Sequence, residues 1–530
     1  MPNSSSRREA APHPWWAWTR TAGQDVATAW RDSRVKRGLV ATIMISLGAL
    51  SPAYLPRSTP LWQLLDDWQL TGTISRVAGT LVTMTGLLLL VDAWFRLRPL
   101  PSADGDSRFV YHHLRHWAIL LIWGAPMLLA PPIFSHDAYS YAAQGWLLHN
   151  GINPYEAPPS VLPGPFADQV SWVWRNTVAP YGPLSLQIQR LLVELSGFNP
   201  YLAAVLQRIP ALIGVVLIGL LVPRVARSIG KDPAFAAWFG TLNPLLVIDF
   251  IGGAHNDSLM IGLVILAVWV AGQPALRQSG SGSYWWLAGA VIVGVAATIK
   301  QPALLAAYAI PLIGRPWPDF SVREIAINGA RILASCVTAL GSFSLVSWAT
   351  GLGFGWSNAV GVPGLVVTIA PFMIIGYLIQ LVLDWFNLDP TQHAAIRYSR
   401  TVGMIIAAVG VGWLALTEAR TKPHSFLAKA YLVVAICAPA LRSWYLLWGG
   451  LLIPWADLRR KAIRWSVWLS LMLLCYDGIV MSWRNDAMAF GVALAGGIWW
   501  IARTAERSLS KAQHPSGRQI LGRRARQRSA

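Results

Sequence analysis

Ser135-His136-Asp137-Ala138-Tyr139-Ser140-Tyr141-Ala142-Ala143-Gln144-Gly145 opens a polar, aromatic and proline-rich stretch lying between long apolar runs. It continues through Asn153-Pro154-Tyr155 to Ala179-Pro180-Tyr181-Gly182-Pro183-Leu184. Structureless connections beyond about 12–15 residues are uncommon and usually functional. The stretch is therefore read as half of an active site, with Asp137 at its chemical centre.

The chain around it is a membrane chain. Of its 530 residues, 54% are hydrophobic and 13% charged, against about a quarter charged in an ordinary globular domain. The charges cluster, leaving apolar runs of about 20 residues, the length that crosses a bilayer as a helix. The fold class is all-α and polytopic, with about 12–14 transmembrane helices. Much of the net charge of +19 sits in two tails, one from Arg7 to Arg37 and one from Arg503 to Arg528. Basic residues beside spans mark the cytoplasmic face and favour anionic lipid, so these tails are read as topogenic, with no nucleic acid as partner. Cys336, Cys437 and Cys475 fall in apolar segments without disulfide or metal spacing. No cleavable signal peptide is recognised before the first apolar run near Gly38.

The resulting division is a cytoplasmic basic leader (1–37), a transmembrane domain (38–503) and a cytoplasmic basic tail (504–530). Spans are expected near 38–55, 76–96 and 117–134, which puts residues 135–200 in an extracytoplasmic loop by the parity of three spans and the positive-inside rule. Residues 185–198 alternate like an interfacial amphipathic helix. Further spans fall near 201–223, 235–252, 258–276, 284–314, 332–350, 366–386, 401–418, 428–456, 465–483 and 487–503. Lys300-Gln301-Pro302 and Arg442-Ser443 interrupt two of them, each as a hairpin tip or as a mid-helix break. No internal repeat is found.

Four places carry ionisable groups at membrane depth or in tight turns, where an unpaired charge costs several kcal/mol. Asp137, flanked by His136, Tyr139 and Tyr141, could accept a proton from a hydroxyl or cap the helix that follows. His255-Asn256-Asp257 sits on a Gly-Gly turn facing the same compartment. Lys300-Gln301-Pro302 could hold an anion such as a phosphate or be a snorkelling lysine. Arg442-Ser443-Trp444-Tyr445 could do likewise or anchor in the aromatic belt. There is no P-loop, dinucleotide fingerprint, zinc His/Glu pair or nucleophile elbow. An outward-facing enzyme has no nucleotides to draw on, so an activated donor has to be membrane-borne.

These residues resemble the GT-C glycosyltransferases, and most of all the actinobacterial polyprenyl-phosphate-mannose-dependent α-1,6-mannosyltransferases of the MptA/MptB group. The resemblance rests on 135–145, on Gly-Ile-Asn-Pro-Tyr (151–155) and Ala-Pro-Tyr-Gly-Pro-Leu (179–184), and on Gly-Gly-Ala-His-Asn-Asp (252–257). Ile-Lys-Gln-Pro-Ala (299–303) and Trp-Tyr-Leu-Leu-Trp (444–448) complete it. It implies a GT-C fold in the bacterial plasma membrane and inverting transfer of mannose to a growing mannan chain of the lipomannan and lipoarabinomannan core. Polyprenyl-phosphate-mannose would be the donor, and the reaction would take place on the extracytoplasmic face. Asp137 would then be the general base and His255, Asn256 and Asp257 would hold sugar or acceptor. Lys300 and Arg442 would stabilise the departing phosphate, and Gln301, Trp444 and Tyr445 would take part in binding substrate. His136, Tyr139, Tyr141, Gln144, Asn153, Tyr155 and Tyr181 would line the sugar sites. Relatives often differ at His136 and carry His-Pro in place of Arg442-Ser443, so both roles stay open.

No divalent cation is expected to be required, because no carboxylate pair suggests a metal site. The alternatives are a transporter or flippase of a polyprenyl-linked glycan, or a GT-C enzyme using another polyprenyl-linked sugar. Transporters commonly show inverted or parallel repeats with paired broken helices.

Overall fold

A computed structural model describes residues 15–51, 55–99, 114–273, 284–315, 317, 319–359, 368–389 and 392–513. The basic residues at 108–113, the Gly/Ser connector 279–283 and most of both tails lie outside them. Among the described residues all regular structure is helical. Six helices are long and apolar enough to cross a membrane: Thr73–Arg96, Pro200–Ser228, Val322–Ala349, Ala394–Ala419, Arg460–Arg484 and Met488–Arg507. Pro233–Thr241 and Leu246–Gly252 form a seventh candidate, bent by 55°. Six further apolar helices are shorter, at 10–17 residues. The polytopic all-α class stands, and the individual segments divide more finely than the apolar runs suggest.

The third expected span, 117–134, is a correction of this kind. Its helix His116–Gly124 passes into one 3-10 turn, Ala125–Met127. Pro131-Pro132 then precludes a continuing helix, and the chain reaches Ser135 through a bend, with Phe134 at φ +58°. The amphipathic segment at 185–198 forms the helix Pro183–Leu195. It buries Ser185, Leu186, Gln189 and Leu192 and exposes Leu191 and Leu195.

Both interruptions are hairpin tips. Helix Trp285–Ala297 ends before Lys300, and the return Gln301–Leu312 packs back along it: a Cβ on Gly289 would stand 3.1 Å from Ile310. Helices Pro423–Cys437 and Ser443–Gly450 pair the same way, a Cβ on Gly449 falling 2.4 Å from the Ala428 carbonyl. A third tip, Gly253–Asn256, joins the bent pair to Asp257–Gly272. Proline at the first helical turn, as in Pro183, Pro200 and Pro423, starts several of these helices without forfeiting a hydrogen bond.

The three tips and the 135–200 loop meet at one end of the molecule. The opposite end is basic: Lys231 and Lys422 both pair with Asp457, and Arg420 donates to the Trp317 carbonyl.

Candidate active site

Asp137 begins the helix Asp137–His149 and does not cap it. His136 occupies the cap position and no side chain closes the cap. The Asp137 N–H donates to Ser135 Oγ at 3.1 Å, leaving the carboxylate to face a cavity. Negative charge in a first helical turn is favourable. The cavity measures about 640 Å³, within the range of small-molecule sites. His136, Tyr181, Lys300, Gln301, Arg442, Trp444 and Tyr445 line it together with Asp137, so residues far apart in sequence share one wall.

The 179–185 segment is stitched to the Lys300 tip by backbone bonds. Gly182 N–H donates to Ile299 O, and the Leu184 and Ser185 N–H groups both donate to Thr298 O. Gln301 adds a side-chain bond to Pro180 O at 3.3 Å. A Cβ on Gly182 would lie 2.2 Å from the Thr298 carbonyl oxygen, so only glycine allows this approach. The Ala-Pro-Tyr-Gly-Pro-Leu motif is thus the seam that fixes Lys300 against the loop.

Lys300 is a paired cation. Its ammonium lies 2.9 and 3.0 Å from the two oxygens of Asp257, which has no exposed surface, and 4.4 Å from the Tyr445 ring centre. Trp448 Nε1 donates to the same Asp257 carboxylate at 2.7 Å. Burial alone pushes the Lys300 ammonium down, but Asp257 outweighs it and holds the group above its ordinary value. Lys300 therefore stays charged beside the cavity. Its ammonium is held by the buried Asp257 carboxylate at the cavity wall, which is not the arrangement of a lysine snorkelling to the interface.

His255 lies behind Asp137. Its ring stacks on Trp444 with centroids 3.7 Å apart, and Nδ1 is 3.6 Å from Asp137 Oδ2. Burial, then the charges of Lys300 and Arg442, hold this imidazole well below its usual value. The contact is therefore a neutral imidazole near a carboxylate and not an ion pair, and 3.6 Å is too long for a hydrogen bond. Neither ring nitrogen finds a hydrogen-bond partner. Burial raises the Asp137 carboxyl above its ordinary value, with Lys300 and Arg442 opposing.

Other expected sugar-site residues are placed elsewhere. Tyr139 is buried in a cluster with Ala142, Phe166 and Val193, and Gln144 is buried away from the cavity wall. Asn153 organises its own turn through Tyr155 N–H and Glu156, and Tyr155 donates to the Tyr181 carbonyl at 2.7 Å. Tyr141 meets Tyr181 edge-on at 5.0 Å and approaches Asn256 Oδ1 at 3.4 Å, while Asn256 donates to Ser185 Oγ. These side chains shape the loop and the seam instead of lining the cavity, because short polar turns satisfy their own backbone first.

Sequence reasoning missed four features. Trp448 braces Asp257. Trp172 and Trp356 line the cavity, as does Arg484 at the end of a span. Arg208, the lone charge between Pro200 and Pro223, is 2% exposed and donates to the carbonyls of Ile251, Gly252 and Leu128. It satisfies the backbone where the bent span ends and presents the Gly253–Asn256 turn, in which Ala254 has φ +57°. A single arginine in an apolar run was the available signal.

The fold and site define a multi-pass membrane protein with a buried acid–cation centre between helix tips at one end. Residues 35–315 match the model of the alpha-(1→6)-mannopyranosyltransferase N-terminal domain, and residues 373–503 match that of the MptB C-terminal domain. A probable alpha-(1→6)-mannopyranosyltransferase of Mycolicibacterium smegmatis is 31% identical, the match covering 79% of this chain and 78% of the relative. An alpha-(1→6)-mannopyranosyltransferase of Mycobacterium tuberculosis is 30% identical over 79% and 77%. Alpha-(1→6)-mannopyranosyltransferase A of Corynebacterium glutamicum is 30% identical over 69% and 76%. The chain belongs to this alpha-(1→6)-mannopyranosyltransferase family.

Proposed function

We propose that the protein transfers mannose from polyprenyl-phosphate-mannose to the 6-hydroxyl of a mannan acceptor on the extracytoplasmic face, with inversion. The observation that carries the reading is the shared cavity wall of the Asp137 carboxylate and the Lys300 ammonium held by Asp257. Asp137 takes the proton of the acceptor hydroxyl as its oxygen attacks the anomeric carbon. The bond from that carbon to the phosphate oxygen breaks, and its electron pair leaves with the polyprenyl phosphate. Lys300 and Arg442 are preorganised positive charge for that developing anion. Basic residues at the end opposite the cavity favour an outward-facing site.

The test is transfer from labelled polyprenyl-phosphate-mannose to a mannoside in membranes. Asp137→Asn and Asp137→Ala are expected to lower the rate by about 10²–10⁴-fold, the range of a general base. Transfer at the wild-type rate would remove Asp137 from this role, and a wild-type protein that moves a lipid-linked glycan without transfer would favour a flippase.

The reading requires no divalent cation. Both oxygens of Asp257 are engaged by Lys300, and Trp448 adds a bond to Oδ1, so a metal there would have to displace the ammonium. Activity is expected to survive EDTA. Loss restored by Mg²⁺ or Mn²⁺ would bring Asp257 in as a ligand instead.

A further inference from the structure

We propose that Trp172 is the acceptor platform of the cavity, on which a pyranose ring of a mannoside stacks. The inference rests on the transferase reading for the identity of the sugar. Trp172 sits in the short helix Trp172–Arg175 of the loop and lines the cavity, yet 80% of it is exposed. Its neighbour Trp174 lines the cavity as well, but is partly buried against the Tyr139 and Phe166 cluster. The large ring left outside is not on a loose segment. Asn176 Nδ2 donates to the Trp172 carbonyl at 2.9 Å, Arg175 N–H donates to Ser171 O at 2.9 Å, and Arg175 pairs with Asp168 at 3.0 Å.

The second observation comes from a distant part of the chain. Trp356 lines the same cavity, and its Nε1 is buried without a hydrogen-bond partner. Trp356 is held in place by Tyr155 and Ala179 of the loop, and a Cβ on Gly355 would collide with the Tyr155 ring at 2.5 Å. An exposed aromatic face on a cavity wall suits a pyranose, which offers C–H faces for stacking. The aliphatic wall of Val434 and Ala438–Ala440, on a hairpin of the membrane helices, suits a chain better.

The test uses the full-length protein in detergent micelles with labelled α-1,6-mannotriose in equilibrium dialysis, alongside acceptor and donor KM from the transfer assay. Trp172→Ala is expected to weaken mannotriose binding and raise the acceptor KM by about tenfold or more, leaving the donor KM in place, while Trp172→Phe restores both to within about threefold. Equal binding in wild type and Trp172→Ala, or no binding by wild type, overturns the platform. So does a rise in donor KM alone, which would assign the ring to the prenyl chain. Mannotriose binding that depends on Trp172, in a protein that transfers nothing, would keep the platform and remove the transferase reading. Transfer with an unchanged acceptor KM in Trp172→Ala would do the reverse.

Discussion

Asp257 has no exposed surface, yet it determines what the cation of the cavity can do. Removing one partner of a buried pair leaves the other charge uncompensated, at a cost of about 3–5 kcal/mol, whereas an apolar pair of similar volume is often tolerated. Asp257→Ala should therefore lower thermal stability by roughly that amount. The double variant Asp257→Leu/Lys300→Met should recover stability without recovering transfer; thermal unfolding in detergent and the transfer assay separate the two. Recovered transfer would mean that Lys300 is structural only. Asp137 makes a pH prediction. Burial raises its carboxyl, against the pull of Lys300 and Arg442, and a proton acceptor has to be ionised. The acid limb of kcat/KM should thus fall above the ordinary carboxylate value of about pH 4, with activity lost as pH drops through it. Lys300→Met should move that limb higher still, and a wild-type limb at or below pH 4 would contradict the burial of Asp137. At this scale the residue types that could do chemistry were readable. That Lys300 is paired with Asp257 was not, because the pairing depends on which two tips touch.

Helix tips are the elements that build the site. The sequence left Lys300 and Arg442 either inside broken helices or at hairpin turns. Packing chose turns, since small residues such as Gly289 and Gly449 let the returning segments lie close. The seam between residues 179–185 and the Lys300 tip is closer than either of these. In Gly182→Ala a Cβ would stand 2.2 Å from Thr298 O, and overpacking of this kind costs about 1–3 kcal/mol. The expected result is reduced transfer with the protein still inserted in the membrane, read by activity per unit of folded protein. Unaltered activity would show that the loop and the tip can separate without consequence. The aromatic and amide residues of the loop were legible as a group with a purpose. Their division between lining and scaffold was not: Asn153, Tyr155 and Tyr141 have the same chemistry as cavity residues and differ only in what they face.

Over the whole molecule, polar chemistry gathers at one end and pairs of lysines with Asp457 at the other. The proposed orientation makes a direct prediction. With the three native cysteines replaced, Asn176→Cys should react with a membrane-impermeant maleimide on intact cells, and Ser228→Cys only after permeabilisation. The opposite pattern would turn the site toward the cytoplasm.

The sequence by itself determined a polytopic helical membrane protein, because apolar length and charge depletion follow from the bilayer whatever the packing. It also determined which loop to watch, because a long polar stretch between spans has few structural uses. Only the tertiary structure decided that the third apolar run is a short helix, that Arg208 holds the end of a bent span, and that Trp172 and Trp356 share a cavity with Asp137. Contacts among helix tips hundreds of residues apart leave no local period or spacing in the chain. The Ser135–Leu184 stretch announces a candidate site, and the tips packed against it decide its shape and charge.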